Sequence, residues 1–240
     1  QVEAGAEAMM TMLLRSGVTT FLGVNAMVFK RWHDEPWEPP LYAGVANKLG
    51  LRAYLSHHFR SSVPIVGDPV DDELVDEHRG FEGLEHNIEF VRASQRGDFG
   101  PRVHGLLFPY TQDTVSLYGR GHAGGPWVSD AELDLLAQAH VTVGHTPWIY
   151  LFGGRTLHSL GRYLAAGVGV ALGTDTYPGD MLQEMRVAAQ LGKVGAVADG
   201  ATTPAASVSA TARTAFDAAT LGAARFLGRD DLGRLAVGAK

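Results

Sequence analysis

Two polar residues stand directly after apolar runs, where the carboxyl ends of strands are expected. Asp175 follows the run VGVALGT, and His145 ends the run VTVGH. In parallel sheets, ligand sites lie at the carboxyl ends of the strands, so both side chains would open onto one face. A carboxylate there can bind a metal ion and accept a proton from metal-bound water, whose pKa falls from ~15.7 towards ~7. The alternative is an aspartate that closes a turn and a histidine that is only hydrogen-bonded.

The stretch YLSHHFRS carries three further polar candidates. If it is a strand, alternation sends His57 and His58 to opposite faces, one towards the open end of the sheet and one towards packed helices. A structural role is the favoured interpretation of the pair. Arg60 could hold a carboxylate or a ring carbonyl, or it could be a solvated loop residue. We take His58 and Arg60 as candidate substrate-binding residues, and Asp113 is similarly placed after a later strand.

The composition bounds the class of protein. The 240 residues are 45% hydrophobic and 19% charged, enough for one large α/β barrel or two small domains. The formal charge is −6 and no run of lysine or arginine is present, so nucleic acid is not an expected partner. The chain has no cysteine, which excludes disulfides and thiolate sites and fits a cytoplasmic protein. No apolar run approaches the ~20 residues that cross a bilayer, so no membrane association is expected.

Short apolar runs alternate with amphipathic helices, which is typical of a parallel sheet. Asp180 is placed to cap one of these helices, and the acidic run Asp68 to Glu77 is interpreted as a solvated loop. The predicted strands cover residues 18–24, 52–59, 103–110, 141–147 and 168–174, and the predicted helices cover 6–17, 40–50, 81–95, 131–139, 156–167, 181–193 and 211–228.

This alternation predicts an α/β fold of the TIM type, a (β/α)8 barrel. Such a barrel has eight strands, usually in about 250 residues, and the sequence offers five. Strands are missing in two places, and the first is the start, because the chain opens in mid-helix and without methionine. The other lies at 117–128, which is too short for the ~30 residues of a βαβ unit. We therefore expect one barrel domain over residues 1–240 that is incomplete and truncated at both ends.

The stretch from Val141 to Arg186 resembles the metal-dependent amidohydrolase superfamily, in the branch of cytosine and guanine deaminases, adenosine-type deaminases and triazine hydrolases. In that branch one strand ends in His-Cys-Pro and the next in Gly-Thr-Asp. Here they read His145-Thr146-Pro147 and Gly173-Thr174-Asp175. The runs SGVTTF and LRAYLSHHFRS resemble the second and third barrel strands. The final run AATLGAARFLGRDDLGRLAVGAK resembles the segment that leads into a small β-domain, and we expect residues 1–240 not to include that domain.

The resemblance implies hydrolytic removal of ammonia from an aminated heterocycle, nucleobase-like or triazine-like, by a metal-activated water. It implies one divalent ion, Zn²⁺ or else Fe²⁺, with Asp175 as ligand and proton shuttle. His145, near the substrate, is expected to be the second catalytic residue. The resemblance also implies a small-molecule heterocyclic substrate and a homodimer.

The sequence departs from the family pattern at its other metal ligands. The family's first strand carries a His-x-His pair, and no such pair occurs here. A fifth-strand histidine with a glutamate three residues on is also missing, and His122 is the nearest candidate for a sixth-strand histidine. The alternative hypothesis is therefore a non-catalytic barrel that has lost its metal site and serves as a binding or scaffold protein.

Overall fold

The computed structural model describes residues 1–23, 30–64, 73–108, 130–154, 160–175, 177–198 and 211–240. The chain forms two units, Gln1–Gly121 and His122–Lys240. Asp113 and His122, both named above, lie outside the described residues. No helix in the described ranges combines the length and the apolar character needed to cross a membrane.

The first unit is built on a three-stranded parallel sheet. Strands β1, β2 and β5 form this sheet in the order β1-β2-β5, and strands β3 and β4 form a separate antiparallel pair. The strands are β1 (Thr20–Leu22), β2 (Arg52–Leu55), β3 (Ser62–Pro64), β4 (Glu73–Val75) and β5 (Val103–Gly105), and the helices are α1 (Val2–Arg15), α2 (Glu38–Leu49) and α3 (Glu77–Arg96).

The sheet and its helices share one apolar core. Alternate residues of β2, Ala53 and Leu55, are buried, as the period of a strand requires. Helix α2 begins with prolines in its first turn and ends at Gly50, whose left-handed φ of 77° closes the helix before β2. The helices and strands bury a common cluster: Met10, Ala43, Val45, Ala46, Leu51, Ala53, Leu55, Phe90 and Val103.

The acidic run Asp68 to Glu77, predicted to be a solvated loop, contains regular structure from residue 73 onward, and residues 68–72 lie outside the described residues. Strand β4 and the start of α3 both fall within it, so the loop interpretation is wrong for Glu73–Val75 and for Glu77. Leu74 lies opposite Val63 in the antiparallel pair. Asp76 caps α3 by accepting a hydrogen bond from the backbone N–H of Arg79 at 3.0 Å. The high charge of this run favours a loop in a sequence-based prediction, although the run contains a short strand and a helix cap.

The second unit centres on the parallel pair β6 (Thr142–His145) and β7 (Gly169–Leu172). Three of the four residues of β7 are buried, as expected of a strand covered on both faces. A π-helical segment, Ala218–Gly222, continues directly from the preceding helix. The helices of this unit are α4 (Asp130–Gln138), α5 (Pro147–Phe152), α6 (Leu160–Ala165), α7 (Met181–Ala198), α8 (Ala212–Asp217) and α9 (Ala223–Phe226).

The barrel prediction is confirmed in part. Parallel strands separated by helices occur in both units, in the orders β1-α2-β2, β2-α3-β5 and β6-α6-β7. Within the described ranges, however, the strands form sheets of three, two and two members, and these do not close into a barrel.

Gly222 allows the π-helical segment to lie directly against β7. A Cβ atom at this position would overlap the backbone oxygen of Val170. We expect Gly222→Ala to lower the free energy of unfolding by about 1–3 kcal/mol, because backbone on either side must move to admit the methyl group. Urea denaturation followed by circular dichroism measures this loss. Gly44→Ala is the control, since nothing lies within 4 Å of its Cβ position and alanine favours the helix; an equal loss in both variants would contradict the packing argument.

Candidate functional site

Asp175 lies just beyond the carboxyl end of β7. Gly173 and Thr174 separate it from the last strand residue, Leu172. Its φ of 52° is in the left-handed region, which is uncommon for a residue other than glycine but is tolerated by aspartate. The residue is exposed, yet partial desolvation by the surrounding strand end raises the pKa of its carboxyl group. An accessible carboxylate at the carboxyl end of a parallel strand is placed where functional sites of such sheets lie.

His145 stands at the same edge, on the neighbouring strand. It is the last residue of β6 and pairs with Leu172 in parallel register. The backbone carbonyl of His145 accepts a hydrogen bond from Gly173 N at 3.1 Å. The imidazole is buried and lies against the ring of Tyr163, with 6.1 Å between the ring centroids. The structure therefore confirms that the two strands carrying these residues end side by side, and the chemical roles of the residues stay predictions.

After Asp175 and His145, Glu184 on α7 is the third ionisable side chain of this site, and it is not among the residues predicted from the sequence. It is only 2% exposed, and its Oε1 accepts a hydrogen bond from the backbone N–H of Trp148 at 2.9 Å. Burial raises the pKa of Glu184 to about 7; the Trp148 hydrogen bond lowers it, and the charge of Asp175 adds to the rise. At neutral pH this side chain is therefore poised between its acid and its carboxylate.

The signal for Glu184 was present in the helix pattern. Val187 and Ala188 follow it by three and four residues and are both buried, so Glu184 occupies the apolar face of α7. A carboxylate on that face is unusual, because an acidic side chain is rarely buried without a partner. By its sequence alone, the run MLQEMR is typical of an ordinary amphipathic helix.

The donor types at this strand end suit a divalent cation. Carboxylate oxygen and imidazole nitrogen are ligands that both zinc and iron accept. Among the described residues, however, the group of three ligating side chains that lie close enough to share one ion does not include Asp175. Asp175 therefore fits a metal by its chemistry, and the described part of the chain does not complete a coordination shell around it.

In the first unit, His58 is bound to a buried carboxylate. Asp34 Oδ2 accepts a hydrogen bond from His58 N at 2.9 Å and lies 3.2 Å from His58 Nδ1. Burial alone would raise the pKa of Asp34, but the hydrogen bonds from His58 and the electrostatic interaction with its ring outweigh this effect and lower that pKa. His58 is fully buried and also packs edge-on against Phe108, with 5.1 Å between the rings. Its predicted role in substrate binding is not tested by these contacts.

Arg60 has backbone partners in the structure. Its Nε donates to the carbonyl of Arg31 at 2.6 Å, and its Nη2 donates to the carbonyl of Lys30 at 3.0 Å. The backbone N–H of Arg60 also donates to the carbonyl of Trp32 at 2.8 Å. These bonds fix the segment around residues 30–32, and a role in holding substrate stays a prediction.

His57 belongs to a histidine cluster that sequence reasoning did not find. His33, His57 and His86 each present a ring nitrogen within 4.8 Å of the other two. His57 is 1% exposed, and burial lowers its pKa to about 4. His57 meets the histidine cluster and His58 meets Asp34. Both residues lie beyond Leu55, the last residue of β2, so strand alternation does not account for their different surroundings.

The chain matches the model of the amidohydrolase family over residues 113–240, just over half of its length. A 5-methylthioadenosine/S-adenosylhomocysteine deaminase of Thermococcus sibiricus is 43% identical over 76 residues, which cover 30% of this chain and 18% of the relative. A 5'-deoxyadenosine deaminase of Methanothermobacter thermautotrophicus is 28% identical over 262 aligned positions, covering 91% of this chain and 56% of the relative. The chain thus spans little more than half the length of that relative.

Solved structures show the same fold. Atrazine chlorohydrolase from Arthrobacter aurescens TC1, in complex with zinc, superposes with a TM-score of 0.67 at 21% identity, covering 96% of this chain and 60% of that one. Guanine deaminase from E. coli gives a TM-score of 0.59 at 19% identity, covering 97% and 61%. The resemblance drawn from Gly173-Thr174-Asp175 and His145-Thr146-Pro147 is confirmed, since these residues fall inside the matched region: the chain belongs to the amidohydrolase family.

Proposed function

We propose that this chain is part of a hydrolytic deaminase that acts on an aminated heterocycle, with an adenosine derivative as the first candidate substrate. The family match and the names of the relatives support this reaction class. The single structural observation that carries the proposal is Asp175, an accessible carboxylate with a left-handed backbone just beyond the carboxyl end of β7.

The proposed reaction replaces an exocyclic amino group by oxygen. Water adds to the ring carbon that bears the amino group, and the carboxylate of Asp175 accepts the proton that the water loses. The proton is then passed to the departing nitrogen, the carbon–nitrogen bond breaks, and ammonia leaves. Since a carboxylate with a raised pKa accepts a proton more readily, the direction of the Asp175 shift favours this role.

Asp175 is also the residue that we propose as a ligand of a divalent ion, Zn²⁺ or else Fe²⁺. Such an ion supplies acidity, because it lowers the pKa of bound water to about 7 and makes hydroxide available at neutral pH.

The neighbouring residues have supporting roles in this proposal. His145, at the end of β6, would orient the substrate or the attacking water from the adjacent strand. Glu184 would position the start of α5 through its bond to Trp148 N. His58 and Arg60 stay proposals for substrate contact.

Ammonia release tests the proposed function. We would incubate the full-length protein, loaded with Zn²⁺ or with Fe²⁺, with 5'-methylthioadenosine, S-adenosylhomocysteine, 5'-deoxyadenosine and guanine. The expected result is stoichiometric ammonia from at least one adenosine derivative, abolished by a chelator and restored by the metal. Protein that is folded and loaded with metal, yet releases no ammonia from any of the four compounds, would contradict the proposed substrate class.

A further inference from the structure

Three histidines of the first unit converge from distant parts of the chain. His33 follows β1, His57 follows β2, and His86 lies on α3. Their ring centroids are 5.7 Å apart for His33 and His57, 5.4 Å for His33 and His86, and 5.1 Å for His57 and His86. One nitrogen of each ring lies within 4.8 Å of the other two, so the three rings enclose a common point.

Two of the three histidines carry buried ring nitrogens without a hydrogen-bond partner among the described residues. Neither ring nitrogen of His57 has a hydrogen-bond partner among the described residues, and neither does Nδ1 of His86. A buried polar atom left without a partner costs about 1–3 kcal/mol. Two such side chains side by side indicate a binding site, because a bound ligand would satisfy their ring nitrogens.

His33 is held in the tautomer that a metal ligand needs. Its Nδ1 lies 2.8 Å from the carbonyl oxygen of Asp34, and because a carbonyl only accepts, Nδ1 carries the proton. In the neutral ring the lone pair is then on Nε2. This atom lies 3.5 Å from Oε2 of Glu82, an oxygen that also accepts a hydrogen bond from Arg79 Nη1 at 2.8 Å. A backbone carbonyl that orients a histidine in this way is a usual partner of metal-binding imidazoles.

The helix that carries His86 is packed so closely that the cluster is held in place. A Cβ atom on Gly83 would lie 2.5 Å from Cβ of Phe59 and 2.7 Å from Cβ of His33, so only glycine permits this approach. Four residues after that glycine, Asn87 Nδ2 donates a hydrogen bond of 2.5 Å to the carbonyl of His57. The convergence of the three rings is therefore built into the packing of α3.

We propose that His33, His57 and His86 bind a divalent transition-metal ion, with Zn²⁺ the first candidate. Imidazole nitrogen suits zinc, copper, nickel and cobalt, whereas calcium and magnesium require oxygen. Atoms at most 4.8 Å apart lie within about 2.8 Å of their common centre, so a Zn–N bond of about 2.1 Å requires each to move inward by about 0.7 Å or less. Three protein ligands leave a fourth position, which water or Glu82 completes.

This site rests on the first unit alone and does not depend on the proposed deaminase activity. The test is the zinc content of the full-length protein by elemental analysis, together with the affinity for Zn²⁺ measured by competition with a chromophoric chelator. Because the loss of a mere outer-shell partner weakens binding about 10–100-fold, we expect His86→Gln to weaken this zinc by more than about 100-fold.

Two variants serve as matched controls. His78→Gln changes an exposed histidine on the same helix and should leave the zinc in place. Asp175→Asn should also leave this zinc in place. This variant therefore distinguishes the histidine site from any ion bound by Asp175 at the end of β7. A zinc affinity that is the same in wild type, His86→Gln and His33→Gln would overturn the proposal.

X-ray absorption at the zinc edge of the Asp175→Asn protein supplies a readout that does not require the histidine variants to fold. The expected spectrum contains about three imidazole nitrogens at about 2.0–2.1 Å from the ion. A protein that retains no zinc, or a spectrum with no such imidazole shell, would equally overturn the proposal.

Discussion

Asp175→Asn lowers kcat/KM for ammonia release by about 10²–10⁴-fold, because asparagine cannot accept the proton that the attacking water loses. The fold should be retained. Asparagine has the size of aspartate and tolerates the same left-handed backbone, so the φ of 52° does not become strained by the change. Steady-state ammonia release measures the rate, and circular dichroism verifies that the variant is folded.

Asp134→Asn is the matched control for this substitution. Asp134 is an exposed residue of α4, and it takes part in none of the proposed chemistry. Its replacement should leave kcat/KM within about twofold of wild type, as expected for a surface change away from the site. If Asp175→Asn kept more than a tenth of the wild-type rate, Asp175 would not be the proton acceptor.

Glu184→Gln changes the pH dependence of stability in the metal-free protein. The folded pKa of Glu184 is raised to about 7 from an ordinary value of 4.5, mainly by burial. Between these two values the unfolded chain releases the proton and the folded chain keeps it, so wild-type stability falls as the pH rises from 4.5 to 7. Glutamine carries no such proton, and it can still accept the hydrogen bond from Trp148 N.

Between pH 4.5 and pH 7, the free energy of unfolding of wild type should therefore fall by about 3 kcal/mol relative to that of Glu184→Gln. Urea unfolding at a series of pH values measures the two curves after treatment with a chelator. Glu85→Gln, at an exposed position of α3, should run parallel to wild type. Parallel curves for Glu184→Gln as well would mean that Glu184 is ionised normally in the folded protein.

The positions of the strands were predictable from the sequence, and their ends were not. All five predicted strands contain an observed strand, but each observed strand is shorter. The run predicted as 52–59 shows the reason. Beyond Leu55 the backbone leaves the sheet, because the N–H of His58 donates to the side chain of Asp34 and no longer to a strand. The sequence of a strand gives no sign of such a distant side-chain partner. The predicted cap of α7 by Asp180 is confirmed, because a cap depends only on residues next to each other in the sequence.

The candidate site was predictable where its residues end strands. Asp175 and His145 follow apolar runs, and parallel pairing of β6 and β7 brings their strand ends together. Glu184 was also predictable in principle, because the apolar residues three and four positions on, Val187 and Ala188, place it on the buried face of α7. The histidine cluster could not be predicted, because its members are far apart in the sequence and meet only when α3 packs against the segment around Phe59.

The most direct test of the account is to carry out the reaction in oxygen-18 water with an adenosine derivative that the protein converts. Hydrolytic deamination through Asp175 predicts that the product carries the solvent's heavy oxygen on the ring carbon and that ammonia appears in equal amount. The Asp175→Asn protein should give neither at a comparable rate. A product without solvent oxygen, or equal conversion by wild type and variant, would contradict a hydrolytic deaminase that works through this carboxylate.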